Sequence, residues 1–498
     1  MHKRINHIAR ITALGFAMSF GMTACDDFLD EVPDNRVSLD DLDKAAQLLT
    51  NAYSSASPAF TEWMSDNVQF TTGVNIRQNH QQLYAWEDVT SGDGEQDTPN
   101  YFWNETYGAI AHANEVLKVI DELQISEEDE ERKDAIEAEA LLTRAYGHFM
   151  LVNMFGPDYG VDPSGDGVPY VKEPETTFIA TYERESVRKV YGEVEDDLRD
   201  GLRKVSDSYY NNSGKYHFNT NAALAFASRY YLWKGDFARC IDYSSQLLGE
   251  NPGTYVRDLT SQEFQNAKSS ITGYPQLYSS PDLPSNILLM RKYSLIQSPR
   301  FGHGPTSEFY GDLFGTSPFP GTTDERENPA FVKGDNALLP VRYENLFQRS
   351  SLNSNVGFLY HVALSFTGEE VLLNRAEAYA IQNDLDACLA DLQVFVSKRY
   401  SGASTELTFD RLRSFFGADN DPSFTDRLIL LNYIIFERRK EFIMQGMRWF
   451  DIKRFGFGVT HDLADGSTIE LEPNDPRMAL QIPESAIEVG GLEPNDRD

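Results

Sequence analysis

Apolar residues recur at helical spacing on both sides of a long middle stretch that lacks the pattern. Leu141, Ala145, Phe149 and Val152 follow one another at steps of four, four and three residues, and Leu385, Leu389, Leu392 and Val396 at four, three and four. Each set therefore lies on one buried stripe of a helix. Amphipathic stretches over 39–53, 101–123, 186–205, 220–233 and 425–445 extend the same pattern. Paired helices are the predicted scaffold. Across 251–367 the chain turns to Gly, Pro, Ser and aromatic residues, with a strand predicted at Ile287 to Lys292. Residues 63–101 are similar, with Trp63, Tyr84, Trp86 and Tyr101 set among Asn, Gln, Gly and Thr. Irregular stretches this long are uncommon inside a compact domain and are often functional.

Two segments align without a gap. RYYLWKGDFARCIDYSSQLL, from Arg229, and EAYAIQNDLDACLADLQVFV, from Glu377, pair Tyr231 with Tyr379, Asp236 with Asp384, Phe237 with Leu385 and Ile241 with Leu389. Each reads as helix, tight polar turn, helix, which resembles a tetratricopeptide helix pair. Cys240 and Cys388 coincide at the small-residue position where the two helices cross, so both are read as buried packing residues rather than redox or metal ligands.

The N terminus reads as a targeting segment. Lys3, Arg4 and Arg10 precede the apolar run ITALGFAMSFG, and Thr23 and Ala24 precede Cys25. The run is too short for a permanent membrane helix. A small residue followed by Cys resembles the bacterial lipobox, which predicts a signal peptide over 1–24 and lipidation of Cys25. The expected layout is one structural unit over 25–498: a mostly helical scaffold from 25–250 and 368–498, with 251–367 as a ligand-binding insertion.

Charge narrows the partners. The chain has 77 acidic and 44 basic residues, and loss of residues 1–24 moves the formal net charge from −33 to −36. Such a surface repels nucleic acid and anionic lipid heads, which leaves neutral or cationic ligands as the better fit.

Several blocks together resemble the SusD/RagB family. CDDFLDEVP, EAEALLTRAYGHFMLVNMFG, SNILLM, EEVLLNRAEAYA and ERRKEFIMQGMRWFDIKRFG occur in the family's order and span nearly all of the mature chain. In the last block Glu437, Arg438, Arg439, Glu441, Gly446, Arg448, Trp449, Asp451 and Arg454 match the family pattern, while Gln445 and Met447 depart from it. Asp324 and Arg326 are weaker marks. The resemblance implies a mainly α fold, in which tetratricopeptide-like helix pairs carry irregular, partly β insertions. It implies a lipid-anchored outer-membrane protein facing the cell exterior, which binds a glycan, or in some relatives a peptide, above a SusC-like TonB-dependent transporter.

Candidate chemistry is sparse. Glu437 with Lys440 and Arg438 with Glu441 stand three residues apart, the spacing of ion pairs along one helix rather than of a catalytic group. Asp162, Ser164, Asp166, Gly167 and Glu173 have the oxygen spacing of a calcium loop, but Pro169 and Pro174 favour a plain turn. Catalytic residues, metal ligands and cofactors are expected to be absent. A two-carboxylate glycoside hydrolase is the alternative from another class, and an assembly scaffold a third reading. For ligand binding, aromatic rings stack on sugar C–H faces while amides and charged groups pair with hydroxyls. The candidates are Arg77, Tyr84, Trp86 and Tyr101 from the first irregular stretch, and Phe309, Tyr310 and Phe314 from SEFYGDLFG in the second.

Overall fold

The structure is a computed structural model that describes residues 39–497, except 72–76, 91, 93, 176–179, 298–301, 328–330, 334–336 and 420. Residues 1–24, expected to be a signal segment, and Cys25 lie outside the described residues. Residues 41–498 form one compact unit.

The helices start where side-chain caps are available. Thr98 caps Pro99–Ile120, Ser186 caps Val187–Lys204, Asn219 caps Thr220–Lys234 and Thr425 caps Asp426–Glu441, each accepting from a backbone N–H in the first turn. Successive helices pack against one another. Glu130–Phe155 lies between Pro99–Ile120 and Val187–Lys204, and from Ala138 to Phe155 every residue except Tyr146 is buried. Gly368–Ile381 is enclosed by Thr220–Lys234, Phe237–Leu248, Leu385–Ser397 and Asp426–Glu441. The fold is mainly α, as the periodicity predicts.

The two aligned segments adopt one geometry. Gly235 (φ 81°) and Asn383 (φ 65°) take the left-handed position after their first helices. Asp236 and Asp384 then cap the second helices through Arg239 N and Ala387 N. Cys240 and Cys388 are both fully buried. Burial pushes the Cys240 thiol up to about 12 and raises that of Cys388 as well.

Carboxylates on the enclosed Gly368–Ile381 helix meet guanidiniums from other elements. Glu370 pairs with Arg229 at 2.5 Å, Glu377 with Arg454 at 2.8 Å, and Glu369 with Arg257 at 3.1 Å and Arg399 at 3.2 Å. The C-terminal block from Glu437 to Arg454 extends this network, and here the local pairing expected from spacing does not form. Glu437 binds Arg326 (2.7 Å), Arg438 binds Asp451 (3.0 Å), Lys440 binds Asp324 (3.2 Å) and Glu441 binds Arg399 (2.8 Å). All of these side chains are buried, so each takes the partner that tertiary packing brings to it rather than its exposed-helix neighbour. Gly446, at φ 80°, lies so close to Pro58 that an added Cβ would stand 2.5 Å from the Pro58 carbonyl oxygen.

The 251–367 stretch holds more regular structure than its composition suggests. Asn286–Tyr293, Gly357–Thr367 and Leu346–Arg349 form an antiparallel sheet in the order first, second, third. Three short helices, Gln262–Ala267, Gly273–Tyr278 and Ser307–Gly315, lie in the same stretch. The last is capped by Thr306, and its Tyr310, Leu313 and Phe314 form one buried face. The two irregular stretches meet directly: Gln69–Phe70 pairs with His303–Gly304, and Asp97 Oδ2 accepts from Leu295 N at 2.6 Å. No helix among the described residues is long and apolar enough to cross a membrane.

Candidate functional site

Most of the rings proposed from sequence serve the interior. Tyr84 and Trp86 are buried, with Tyr84 Oη donating to the Asp462 carbonyl at 3.0 Å and Trp86 Nε1 to the Met64 carbonyl at 2.9 Å. Both rings stack on His461, with centroids at 3.9 and 4.5 Å. Tyr310 and Phe314 stack on each other at 4.4 Å in the core, and Tyr310 Oη donates to the Arg326 carbonyl. Phe309 is half-buried beneath the Arg439 guanidinium at 5.2 Å. A ligand reaches no open face of Tyr84, Trp86, Tyr310 or Phe314. As surface stacking platforms these four are corrected: they lock the irregular stretches onto the scaffold.

Arg77 is partly exposed, whereas Tyr101 is buried like most of the other rings. Arg77 faces Glu95 at 3.5 Å with both side chains well exposed. Tyr101 starts a capped helix and sends its hydroxyl to Ser55 Oγ at 3.2 Å, while Ser55 Oγ donates to Glu105 at 2.6 Å. The Ser55 carbonyl in turn accepts from Tyr293 N at 2.8 Å, so Tyr101 stands at the edge of the three-stranded sheet. Burial pushes its phenol up to about 12, against the Ser55 hydrogen bond and with Glu105 and Tyr293 adding to the rise.

That sheet carries an aromatic surface. Side chains directly opposite in an antiparallel pair share a face, and alternate residues along a strand share it too. Tyr293 is opposite Tyr360, which is opposite Leu346, and Phe358 is opposite Gln348. Tyr293, Phe358, Tyr360, Arg291 and Gln348 therefore occupy one face. Tyr293 lies 5.5 Å from Phe358 and 6.2 Å from Tyr360 by ring centroids. The Arg291 guanidinium rests 5.3 Å from the Tyr293 ring and 6.0 Å from Tyr360. Gln348 Oε1 accepts from both Arg291 Nη1, at 3.2 Å, and Tyr293 Oη, which holds the outer strand's amide against the platform.

The Gly357–Thr367 strand runs from open to buried, which presents its first half to solvent and anchors its second. Phe358 is 46% exposed, whereas Phe366 is fully buried. Gly357 makes the tight pairing possible, because a Cβ there would fall 2.0 Å from the Gln348 carbonyl oxygen. On the opposite face the central pair is buried and polar, with Lys292 opposite His361 and its Nζ donating to the Ser54 carbonyl at 2.6 Å, while Phe347 and Leu359 at the outer end of that face are exposed. Desolvation takes the Lys292 ammonium down to about 7 and the His361 imidazole down to about 3. These groups brace the platform from behind.

The platform residues escaped the sequence reading. A signal was present: GFLYHVALSFT places Phe358, Tyr360, Val362, Leu364 and Phe366 at period two, and Arg291 with Tyr293 has the same spacing on the predicted strand. The possible calcium loop folds as a turn in which Asp162 Oδ1 accepts from Ser164 N and Gly165 N at 3.1 and 3.0 Å. Among the described residues no group of three or more His, Cys, Asp or Glu side chains is arranged to hold a metal ion.

Comparison with known proteins gives a consistent picture. A family described as "Starch-binding associating with outer membrane" matches residues 27–232, and one described as "SusD family" matches 369–487. The SusD-like protein P2 of Formosa agariphila is 22% identical over 436 residues, which cover 78% of this chain and 77% of that protein. A SusD-like carbohydrate-binding protein of Bacteroides vulgatus superposes with a TM-score of 0.63 at 17% identity, covering 90% of this chain and 96% of the other. A laminarin-binding SusD-like protein does so with 0.57 at 17% identity, covering 91% and 98%. At these identities the structural likeness speaks for the fold.

Proposed function

This chain belongs to the SusD/RagB family, and from that premise we propose that it is a surface nutrient-binding lipoprotein that captures glycan and passes it to a SusC-like TonB-dependent outer-membrane transporter. The observation that carries the binding half is the open platform of Tyr293, Phe358 and Tyr360, with Arg291 and Gln348 as polar partners on the same face. Rings fixed in a sheet lose little freedom on binding, and flat faces flanked by a few hydrogen-bonding groups suit the amphipathic surface of a sugar. Tyr101, buried at the sheet's edge, would support the platform from the side rather than stack on a ligand. The reading supposes capture and release, with the ligand unchanged and transport energised by the partner. Anchoring is assigned to acyl chains on Cys25, each buried methylene contributing about 0.8 kcal/mol to membrane attachment.

The test is calorimetry of the full chain in mild detergent against purified polysaccharides, oligosaccharides and peptides, with each mixture assayed for cleavage. Saturable binding of a glycan recovered intact, weakened about tenfold or more by Tyr360→Ala and Phe358→Ala with unchanged melting, is the expected result. Carboxylate-dependent cleavage would replace the proposal with a hydrolase. Peptide binding alone would move the ligand class while leaving the capture role, and no binding to any probe would favour an assembly scaffold.

A further inference from the structure

Resting on the reading of the platform as a glycan site, we infer that the glycan it takes is anionic, with a carboxylate or sulfate group set against Arg291. The first observation is where the acids are missing. The chain has 77 acidic residues in 498, yet 286–297 and 346–367, the segments that build the platform sheet and its hairpin, contain none, whereas the average density would place about five there. Their charged residues are Arg291, Lys292 and Arg349. This overturns, for the site itself, the expectation of a neutral or cationic ligand drawn from net charge.

The second observation is the state of Arg291. Among the described residues it has no carboxylate partner; its contacts are the Gln348 amide oxygen and the faces of Tyr293 and Tyr360. It is exposed, and the two rings hold the guanidinium plane in place. A guanidinium ordered on aromatic faces keeps N–H groups free in a fork that matches a carboxylate or sulfate. Near the sheet's edge, Glu105 accepts from Ser55 and Asp97 from Leu295 N, each oriented by that bond away from Arg291's contacts with Gln348, Tyr293 and Tyr360. Glu344, beyond the hairpin, accepts from Gln276. A sugar ring stacked on Tyr360 or Phe358 would carry its edge substituents toward Arg291. The protein's distant negative charge opposes approach weakly, because screening at physiological ionic strength confines it to about 8 Å.

The experiment is affinity electrophoresis of the full chain in mild detergent through gels containing polygalacturonate, a sulfated galactan or a neutral β-glucan. The wild type, Arg291→Gln, Arg291→Lys and Tyr360→Ala are compared, and melting curves confirm folding. Retention by polygalacturonate or by the sulfated galactan is expected, and which of the two retains it distinguishes carboxylate from sulfate. Arg291→Gln should weaken that retention tenfold or more, Arg291→Lys should restore part of it, and Tyr360→Ala should weaken it too. Retention only by the neutral glucan, sensitive to Tyr360→Ala and indifferent to Arg291→Gln, would overturn the anionic assignment and leave the glycan site standing. Anionic retention unaffected by Arg291→Gln would remove Arg291 as its contact, and no retention in any gel would sink the inference together with the glycan reading.

Discussion

Glu441→Gln tests whether the buried charge network holds the C-terminal block to the rest of the fold. The Glu441 carboxylate binds Arg399 through both oxygens, at 2.8 and 2.9 Å, and also faces Arg326 at 3.4 Å. Burial alone would raise its pKa, but Arg399, followed by Arg326 and Arg342, overcomes that effect and brings it from 4.5 down to about 2. A shift of that size corresponds to about 3 kcal/mol of stability at neutral pH. Removing one partner of a buried pair costs a similar amount, about 3–5 kcal/mol, because the other charge is left uncompensated. The folded-state pKa is depressed, so the contribution is complete above pH 4.5 and is lost as pH falls toward 2. Urea unfolding followed by tryptophan fluorescence and far-UV circular dichroism should therefore show the variant about 3 kcal/mol less stable at pH 7, with the difference narrowing at pH 3.5. The paired change Arg399→Met with Glu441→Leu should recover part of the loss, since it leaves no lone charge at that contact. A Glu441→Gln variant within about 1 kcal/mol of wild type at pH 7, or a difference that does not narrow in acid, would refute the reasoning.

Lys292→Met should stabilise the protein by about 2–3 kcal/mol at pH 6, since the burial cost of an ammonium with a pKa near 7 exceeds the hydrogen bond to Ser54. That cost is complete below pH 7 and fades as pH rises toward 10.5, so the variant's advantage should shrink by pH 9; a less stable variant at pH 6 would count against it. Gly446→Ala should cost at least about 2 kcal/mol in the same urea assay, because φ 80° and a Cβ 2.5 Å from the Pro58 oxygen leave it no place. Gly192→Ala, in a helix with open space around it, should instead stabilise by about 0.5–1 kcal/mol, and equal effects at the two sites would remove the steric argument. Cys240 and Cys388 should resist maleimide in the native protein and react on unfolding, as burial and raised thiol pKa values require; rapid native labelling, read by mass spectrometry, would show that the helix pairs open.

Local chemistry was readable from the chain alone. Helix stripes and the tight polar turns of the two aligned segments depend on residues within a few positions of each other, and the structure places them as the pattern predicts. The burial of Cys240 and Cys388 followed from their repeat position for the same reason. The strand over Asn286–Tyr293 was also legible, because its apolar run is short and bounded by turn residues.

What the sequence could not reveal was which surface each side chain would meet. Tyr84 and Trp86 have the composition of binding rings, but His461, brought from far along the chain, packs against both and removes them from solvent. Glu437 and Lys440 have the spacing of a local ion pair, yet Arg326 and Asp324 arrive from another element and take their charges. The platform exists only because Gly357–Thr367 pairs with strands on either side in a register that sets Tyr293, Phe358 and Tyr360 on one face. Periodicity is a property of neighbours in the chain and survives in the sequence, whereas burial, charge partner and strand register are properties of neighbours in space and were decided by the tertiary structure.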